Sequence, residues 1–190
     1  MKSTLLSHGL LSLGLCCSLM FASVSLAADG DKKEEKKAPE IKLADGKIIL
    51  TAPKAWKVIQ PRVRIIDHEF SVEAAKEDKV PGRVTIMGAG GSIEDNIARW
   101  VGQFSGAKKA PVVEKKIAGQ TVYLVDISGG YTDRRGPFAP ATKYENFRML
   151  AAIIKTDKLG QYFVKFYGPA KTVESNAKQF KAMIESLEVK

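Results

Sequence analysis

Residues 147–167 read FRMLAAIIKTDKLGQYFVKFY, two apolar runs on either side of a short polar segment. The runs 147–155 and 161–167 contain β-branched and aromatic residues, and Asp157-Lys158-Leu159-Gly160 between them has the composition of a turn. Two such runs joined by a short Gly-containing loop are typical of a β-hairpin. The dipeptide Gly168-Pro169 then ends the second strand. The stretch predicts that an antiparallel sheet forms the centre of the fold.

Two other segments have the spacing of amphipathic helices. The first begins after Ser92, a good N-cap, and is expected to end near Phe104, before Ser105-Gly106. The second follows Gly168-Pro169 and continues to the C-terminal end. Their apolar faces are formed by Ile93, Ile97, Trp100, Val101 and Phe104 in the first, and by Val173, Ala177, Phe180, Ile184 and Leu187 in the second.

Further short apolar runs have strand composition, at 47–51, 63–74, 83–87, 112–117 and 121–127. Since 121–127 is apolar on both faces, helices or loops are expected on both sides of the sheet. Trp56, at the start of this region, is expected in the core. The segment 129–145 has no period and is predicted to be a loop. The sequence thus predicts an α+β fold: an antiparallel sheet of about six or seven strands with two amphipathic helices, arranged as an α/β/α sandwich.

Two stretches resemble the PsbP-like family. Ile49-Leu50-Thr51-Ala52-Pro53-Lys54-Ala55-Trp56 is similar to the opening strand-Pro-x-x-Trp of its secreted bacterial members. Val164-Lys165-Phe166-Tyr167-Gly168-Pro169, followed by a helix ending Met183-Ile184-Glu185-Ser186-Leu187, is similar to their closing hairpin and helix. The resemblance covers about residues 46–188 and implies an antiparallel sheet sandwiched by helices. The family includes a photosystem II extrinsic subunit, a Ran-binding nuclear protein and bacterial envelope proteins without a shared catalytic motif, so the resemblance implies no site residue.

The N-terminal residues have the pattern of a secretory leader. Lys2 precedes an apolar stretch from Leu10 to Leu26, and Ser25-Leu26-Ala27 supplies small residues where a signal peptidase cleaves. We expect cleavage after Ala27 and a periplasmic or secreted location. An uncleaved membrane anchor is the alternative, because the stretch approaches the ~20 apolar residues that span a bilayer. The bulky residues before Cys16 do not favour a lipoprotein.

The sequence divides into a signal peptide, 1–27, a disordered charged linker, 28–45, and a single PsbP-like domain, 46–190. Residues 29–40 have no large apolar side chain to bury and carry four lysines against five acidic residues. The whole chain has 30 Lys and Arg against 21 Asp and Glu. Without Lys2 and residues 29–40, 25 basic and 16 acidic residues remain, so residues 41–190 carry the net charge of +9.

Residue usage excludes several classes of chemistry. Both cysteines, Cys16 and Cys17, lie in the leader, so the exported domain has no disulfide, thiolate metal site or cysteine nucleophile. His68 is the only histidine after the leader, and its neighbours on a strand point to the opposite face, so no metal site is expected. A Ser-His-Asp triad is not supported, and no Gly-x-Ser-x-Gly motif occurs. We therefore expect a protein that is not an enzyme and uses no cofactor.

Gly88-Ala89-Gly90-Gly91-Ser92 links a strand to a helix N-terminus, where backbone N–H groups and the helix dipole can hold an anion. Gly88, Gly90, Gly91 and Ser92 are therefore a candidate anion-binding turn. Ile93 replaces the third Gly of a dinucleotide fingerprint, and the Lys-Ser/Thr ending of a P-loop is missing. A flexible connection without a ligand is the alternative, and the composition favours it.

The loop predicted at 129–147 is the second candidate site. Arg134 and Arg135, with Tyr131 and Tyr144, could form a basic and aromatic lip for a carboxylate, a phosphate or a glycan. The two arginines are expected to face water, because each buried guanidinium would need compensating partners. An insertion that packs its own aromatic side chains over the sheet is the alternative.

These observations favour an exported, non-enzymatic binding or structural module of the cell envelope. Its basic surface suits an unknown envelope protein or an anionic polymer, and peripheral contact with a membrane surface also fits. No specific nucleic acid is expected, because no recognised motif accompanies the basic residues. The alternative is an enzyme or enzyme accessory that acts on an anionic substrate at the Gly-rich turn and the 129–147 loop.

Overall fold

A long antiparallel sheet runs through the structure, a computed structural model that describes residues 37–133 and 140–190. The described residues form eleven strands and three helices. The strands are β1 (Glu40–Leu43), β2 (Ile48–Thr51), β3 (Lys57–Ile59), β4 (His68–Val72), β5 (Gly82–Ala89), β6 (Phe104–Lys109), β7 (Val113–Ile117), β8 (Gln120–Asp133), β9 (Thr142–Lys155), β10 (Gln161–Pro169) and β11 (Glu188–Val189). The helices are α1 (Ile93–Val101), α2 (Ala170–Ser175) and α3 (Ala177–Glu185).

The main sheet has eight strands, in the order β3-β4-β5-β10-β9-β8-β6, and β7 also pairs with β8. Every pair in it is antiparallel. A second sheet of three strands has the order β1-β2-β11. The predicted α+β class is confirmed, and the strand number of the main sheet lies close to the predicted six or seven.

The hairpin of β9 and β10 lies at the centre of the main sheet, as predicted. Its pairing runs from Phe147 opposite Pro169 to Lys155 opposite Gln161. The Thr156 hydroxyl donates to the carbonyl of Gly160 at 2.7 Å and accepts from the N–H of Leu159 at 2.9 Å. These bonds satisfy the backbone of a tight turn in which Gly160 has a φ of 88°, a value that favours glycine.

Each face of the main sheet is covered by its own apolar cluster. We call one the α2/α3 face; here Phe70, Val84, Val164 and Phe166 pack with the small sheet and helices α2 and α3. We call the other the α1 face. Helix α1 places Ile97 and Trp100 there, over Ile153 and Phe163. The predicted cover on both sides of the sheet is therefore present.

Trp56 belongs to the α2/α3 face, as predicted, and is 3% exposed. Its ring centroid lies 5.5 Å from that of Phe166 and 6.3 Å from that of Phe70. Its indole N–H donates to the side-chain oxygen of Asn176 at 3.4 Å. The buried ring therefore joins the start of the sheet to the break between α2 and α3.

The segment 129–145 is not the loop that its lack of period suggested. β8 continues to Asp133 and β9 begins at Thr142, with Tyr131 paired to Tyr144. A register shift between Gly129 and Tyr131 interrupts the alternation of side chains between faces, which removes the period-2 signal. Residues 134–139 lie outside the described part of the chain.

The helix boundaries also differ from the predicted ones. α1 ends at Val101 with Gly102 as its C-cap, and Phe104 begins β6 instead of ending the helix. Phe104 and Trp100 are buried in the same cluster. Both positions are therefore apolar, which extended the helical pattern past the real end of the helix. The C-terminal helix is two helices separated at Asn176. Its apolar spacing continues across the break, so the pattern did not reveal it.

Two predicted boundaries near the N-terminal side are wrong for the same reason. Within the run 63–74 only His68–Val72 is a strand, and Val63 and Ile65 are exposed instead of buried. Within the predicted linker 28–45, β1 pairs with β2 and buries Ile41 and Leu43. Short apolar runs do not by themselves say whether a partner strand is present, because burial depends on tertiary pairing.

Candidate functional site

The predicted aromatic lip lies on the α1 face. Tyr131 is 7% exposed and stacks on Phe147 with ring centroids 5.6 Å apart. Tyr144 is partly buried and stacks on the same Phe147 ring at 4.5 Å. The two tyrosines are therefore brought together, with Phe147 between them. Arg134 and Arg135 lie outside the described residues.

The candidate anion turn is occupied by contacts within the protein. Ser92 caps α1, its hydroxyl accepting from the N–H of Asp95 at 3.0 Å. The N–H of Gly88 donates to a carboxylate oxygen of Asp67 at 3.0 Å. The buried Asn96 amide donates to the carbonyls of Gly90 (3.0 Å) and Ser92 (2.7 Å). These contacts fit the alternative of a structural turn, and the carboxylates of Asp67 and Asp95 work against an anion there.

A row of polar side chains crosses the α1 face beside the aromatic lip. Strand pairing places Glu69 opposite Thr85, and Thr85 opposite Lys165. The next row on the same face places Arg83 opposite Tyr167. Side chains two residues apart on a strand share a face, so the pairing of β4, β5 and β10 brings all five together.

Within this row Arg83 is held in place by hydrogen bonds to two neighbouring side chains. Its guanidinium donates to both carboxylate oxygens of Glu69, at 2.8 and 3.1 Å, and to the Tyr167 hydroxyl at 2.5 Å. Burial works to lower the pKa of Arg83, but the bonds to Glu69 and Tyr167 outweigh it and leave that pKa raised. The Glu69 carboxylate is thus already engaged by a bidentate ion pair.

Lys165 lies next to this ion pair without an acidic partner of its own in the described chain. Its side chain is half-buried, and its Nζ lies 5.8 Å from the centre of the Trp100 ring. Burial, with the positive charges of Arg83 and Arg99, lowers the pKa of Lys165. Arg99 is exposed on α1, and its guanidinium donates to the side-chain oxygen of Asn96.

The hydroxyl groups of Tyr131 and Tyr167 stay neutral over an extended pH range. Burial raises the pKa of Tyr131, and the charge of Tyr167 adds to this effect. Burial also raises the pKa of Tyr167, against the lowering effect of Arg83. The centroids of the two rings are 5.4 Å apart, so the aromatic lip and the polar row are in contact. We call Arg83, Arg99, Trp100, Lys165 and Tyr167 the cationic cluster.

A separate groove of about 500 Å³ lies where α2 meets β6, β8 and β9. The Arg148 guanidinium forms a bidentate ion pair with Asp126 at 2.9 and 2.7 Å, and this pair raises the pKa of Arg148. Lys108 and Lys109 lie on one side and Glu174 on the other. Three cations therefore face two carboxylates in an open groove, where the charges largely compensate each other.

His68 begins β4, and its Nε2 lies 3.0 Å from the carbonyl oxygen of Lys42. Across the two described ranges no three His, Cys, Asp or Glu side chains are grouped so that they could hold a metal ion. No helix in the part of the chain that the structure describes is long and apolar enough to cross a membrane.

The comparison with known proteins rests on structure. No model of a protein family and no characterised protein matches the sequence. The cyanobacterial PsbP (CyanoP) from Synechocystis sp. PCC 6803 has 12% identity and a TM-score of 0.53, over 82% of this chain and 94% of that chain. LpqN, involved in cell envelope biogenesis of Mycobacterium tuberculosis, has 9% identity and a TM-score of 0.50, over 80% and 90%.

This chain has a PsbP-like fold. The Ran-binding protein Mog1p of Saccharomyces cerevisiae is also similar, with 10% identity and a TM-score of 0.46, over 81% of this chain and 96% of that chain. At these identities the likeness describes the fold alone, and the PsbP-like fold transfers no site residue.

Sequence reasoning missed the cationic cluster. One signal was visible: Lys165 interrupts the run Gln161–Pro169, at a position that shares its face with Phe163 and Tyr167. A charged residue inside a buried strand is rare unless it has a partner or a function. Its neighbours Arg83 and Arg99 could not be found, because they meet it only through the pairing of β5 with β10 and the position of α1.

Proposed function

We propose that this protein is an exported, non-enzymatic binding module of the cell envelope that holds an anionic ligand at the cationic cluster. The observation that carries the proposal is the charge balance there. The charges of Arg83 and Arg99 both act on Lys165, while Glu69 is bonded to Arg83. Within the described residues neither Lys165 nor Arg99 has an ion pair, so a bound anion would supply the charge that is missing.

The unfavourable placement of three cations together supports a ligand-binding role for the cluster. Holding an ammonium group away from water beside two guanidinium groups disfavours its charged form, which is why the pKa of Lys165 is lowered. Clusters of this kind are more frequent at functional sites than elsewhere. The hydroxyl oxygen of Thr85, opposite Lys165, is buried without a partner among the described atoms.

The rings around the cluster are buried and hold the cations in position. Trp100 lies on one side of Lys165, and Tyr167 lies beside Arg83. Asp133 is close enough to raise the pKa of Tyr131 and Tyr167, and Arg134 and Arg135 follow it directly in sequence. We therefore keep these two arginines, with Tyr131 and Tyr144, in the proposed site.

Export and an envelope role complete the proposal. The leader pattern of residues 1–27 supports export. LpqN, one of the proteins with the same fold, is involved in cell envelope biogenesis. An anionic envelope polymer or an acidic envelope protein would suit the basic domain.

Emission of Trp100 tests the site, since this ring lies beside Lys165. Trp56→Phe leaves Trp100 as the only tryptophan, and inorganic phosphate is the probe. We expect a saturable change in emission that Lys165→Met abolishes. Lys109→Met removes the same charge from the groove and should leave the change intact.

Loss of the signal in Lys109→Met but not in Lys165→Met would place the anion site in the groove and contradict the proposal. A broad hydrolase screen addresses the enzyme alternative. Turnover that Lys165→Met abolishes would show that the cluster is catalytic.

A further inference from the structure

The segment 57–65 concentrates exposed apolar side chains beside one edge of the main sheet. In the described part of the chain five large apolar side chains are exposed, and four of them lie within this segment: Val58 (66% exposed), Ile59 (38%), Val63 (47%) and Ile65 (68%). The fifth, Val113 (47%), lies on β7 at the other edge of the sheet. Single exposed apolar residues are ordinary, but this concentration in one segment favours a role in contact with another surface.

The same segment is basic. Lys57, Arg62 and Arg64 are exposed, and the segment contains no acidic residue. None of these three cations forms an ion pair with another described residue. The charge of the segment is therefore complementary to an anionic surface that also has an apolar layer.

We propose that residues 57–65 form a docking segment for an anionic lipid bilayer, with Val63 and Ile65 of the turn after β3 inserted between headgroups and the three cations at the phosphates. Interfacial binding of this kind gains from buried apolar area and from attraction to anionic lipids together. The surface is distinct from the cationic cluster, and the inference does not rest on the ligand proposed there.

An added peptide strand fits the segment less well. β3 has only three residues, and Pro61 follows shortly with no N–H to donate. The N–H of Ile66 is bonded to the carbonyl of Val63 at 3.1 Å, so the chain turns instead of presenting a straight edge. A turn that carries exposed apolar and basic side chains suits a fluid interface better than a backbone ladder.

The experiment uses a local reporter in the exported protein, so that any retained leader is common to every variant. Ile65→Trp places an indole in the segment, and Val113→Trp places one at the other edge as a control. Trp56 and Trp100 are each 3% exposed, and their emission, with any response of Trp100 to an anion, is common to both variants. With phosphatidylglycerol-containing vesicles, emission of Ile65→Trp should shift to the blue and be quenched by brominated lipids. Pure phosphatidylcholine vesicles and the Val113→Trp control should give no shift.

The charges are tested on the Ile65→Trp background. Arg62→Ala/Arg64→Ala should weaken vesicle binding by about 30-fold, since each basic residue near an anionic membrane contributes about fivefold. Lys108→Ala/Lys109→Ala removes the same net charge elsewhere and should weaken binding far less. Three results would each overturn the inference: no shift of Ile65→Trp, an equal shift of Val113→Trp, or equal losses in the two double variants.

Discussion

The two faces of the main sheet are built differently, although the same strands supply both. On the α2/α3 face the polar groups beside the apolar cluster are paired: Thr172 is hydrogen-bonded to Asp78, and Arg148 forms an ion pair with Asp126. On the α1 face the apolar cluster is bordered by Glu69, Arg83, Thr85 and Lys165. The first face has two helices and a small sheet as its cover, whereas the second has one helix of nine residues. The difference separates a face that supplies stability from a face that carries the proposed function.

The polar row on the α1 face costs stability. Burial of a polar group is unfavourable unless it is hydrogen-bonded, and burial of a charge is more so unless it is paired. The Thr85 hydroxyl and Lys165 both lack such a partner in the described part of the chain. Functional sites commonly retain groups of this kind at the expense of stability.

The largest effect is expected on the α2/α3 face. Trp56→Ala removes a ring that contacts Phe70 and Phe166 and should lower the free energy of unfolding by about 3–5 kcal/mol. Urea unfolding followed by circular dichroism measures it. Trp100→Ala removes an equally buried ring from the α1 face, but it also opens Lys165 to water. It should therefore cost less, and an equal or larger cost would remove the proposed distinction between the faces.

A smaller effect is expected at Gly82, where the packing of the α2/α3 face is closest. A Cβ at this position would lie 2.7 Å from a ring carbon of Phe166 and 3.3 Å from a methyl group of Thr172. Gly82→Ala should therefore destabilise the fold by about 1–3 kcal/mol, the usual cost of overpacking. Gly90→Ala is the control, since no atom lies within 4 Å of a Cβ there. Equal unfolding free energies for the two variants would show that the face is loosely packed.

On the α1 face a substitution is expected to stabilise the fold instead of destabilising it. Lys165→Met removes a half-buried charge while keeping an unbranched side chain, and it should raise the free energy of unfolding by about 0.5–2 kcal/mol. The pKa of Lys165 is lowered from 10.5 in the folded state. At pH values between the folded and the unfolded pKa, the unfolded chain therefore binds more protons than the folded chain. The wild-type protein therefore gains stability as the pH rises through that window.

The advantage of Lys165→Met should accordingly be full below the folded pKa of Lys165 and shrink as the pH approaches 10.5. Subtracting the two unfolding curves removes the titration of Tyr131 and Tyr167, which both chains share. A variant that is less stable than the wild-type protein near pH 7 would mean that Lys165 makes a favourable contact within the fold.

Local pattern predicted the elements whose partners are adjacent in sequence. The β9–β10 hairpin and the start of α1 at Ser92 follow from short-range spacing and turn residues. The end of α1 and the continuation of β8 past Gly129 depend on which residues become buried together, and local pattern does not contain that information. The PsbP-like class could be predicted because it depends mainly on the order of strands and helices along the chain.

The candidate site was harder to predict from the sequence than the fold. Tyr131 and Tyr144 were identified from composition, and the structure places both against Phe147. Arg83 and Lys165 are far apart in sequence and become neighbours only through the register of β5 and β10. A shift of that register by one residue would move either side chain to the opposite face. The cationic cluster could therefore be recognised only from the three-dimensional structure.

The most direct test of the account is the melting temperature of wild-type protein and Lys165→Met, each with and without inorganic phosphate at matched ionic strength. A ligand that binds only the folded state adds about 2.7 kcal/mol of stability at a hundred times its Kd. Phosphate also stabilises folded proteins without a site, and that contribution is common to both chains. The account predicts that Lys165→Met melts higher without phosphate and that phosphate raises the melting temperature of the wild-type protein more. Equal phosphate-induced shifts in the two proteins would contradict an anion site at the cationic cluster.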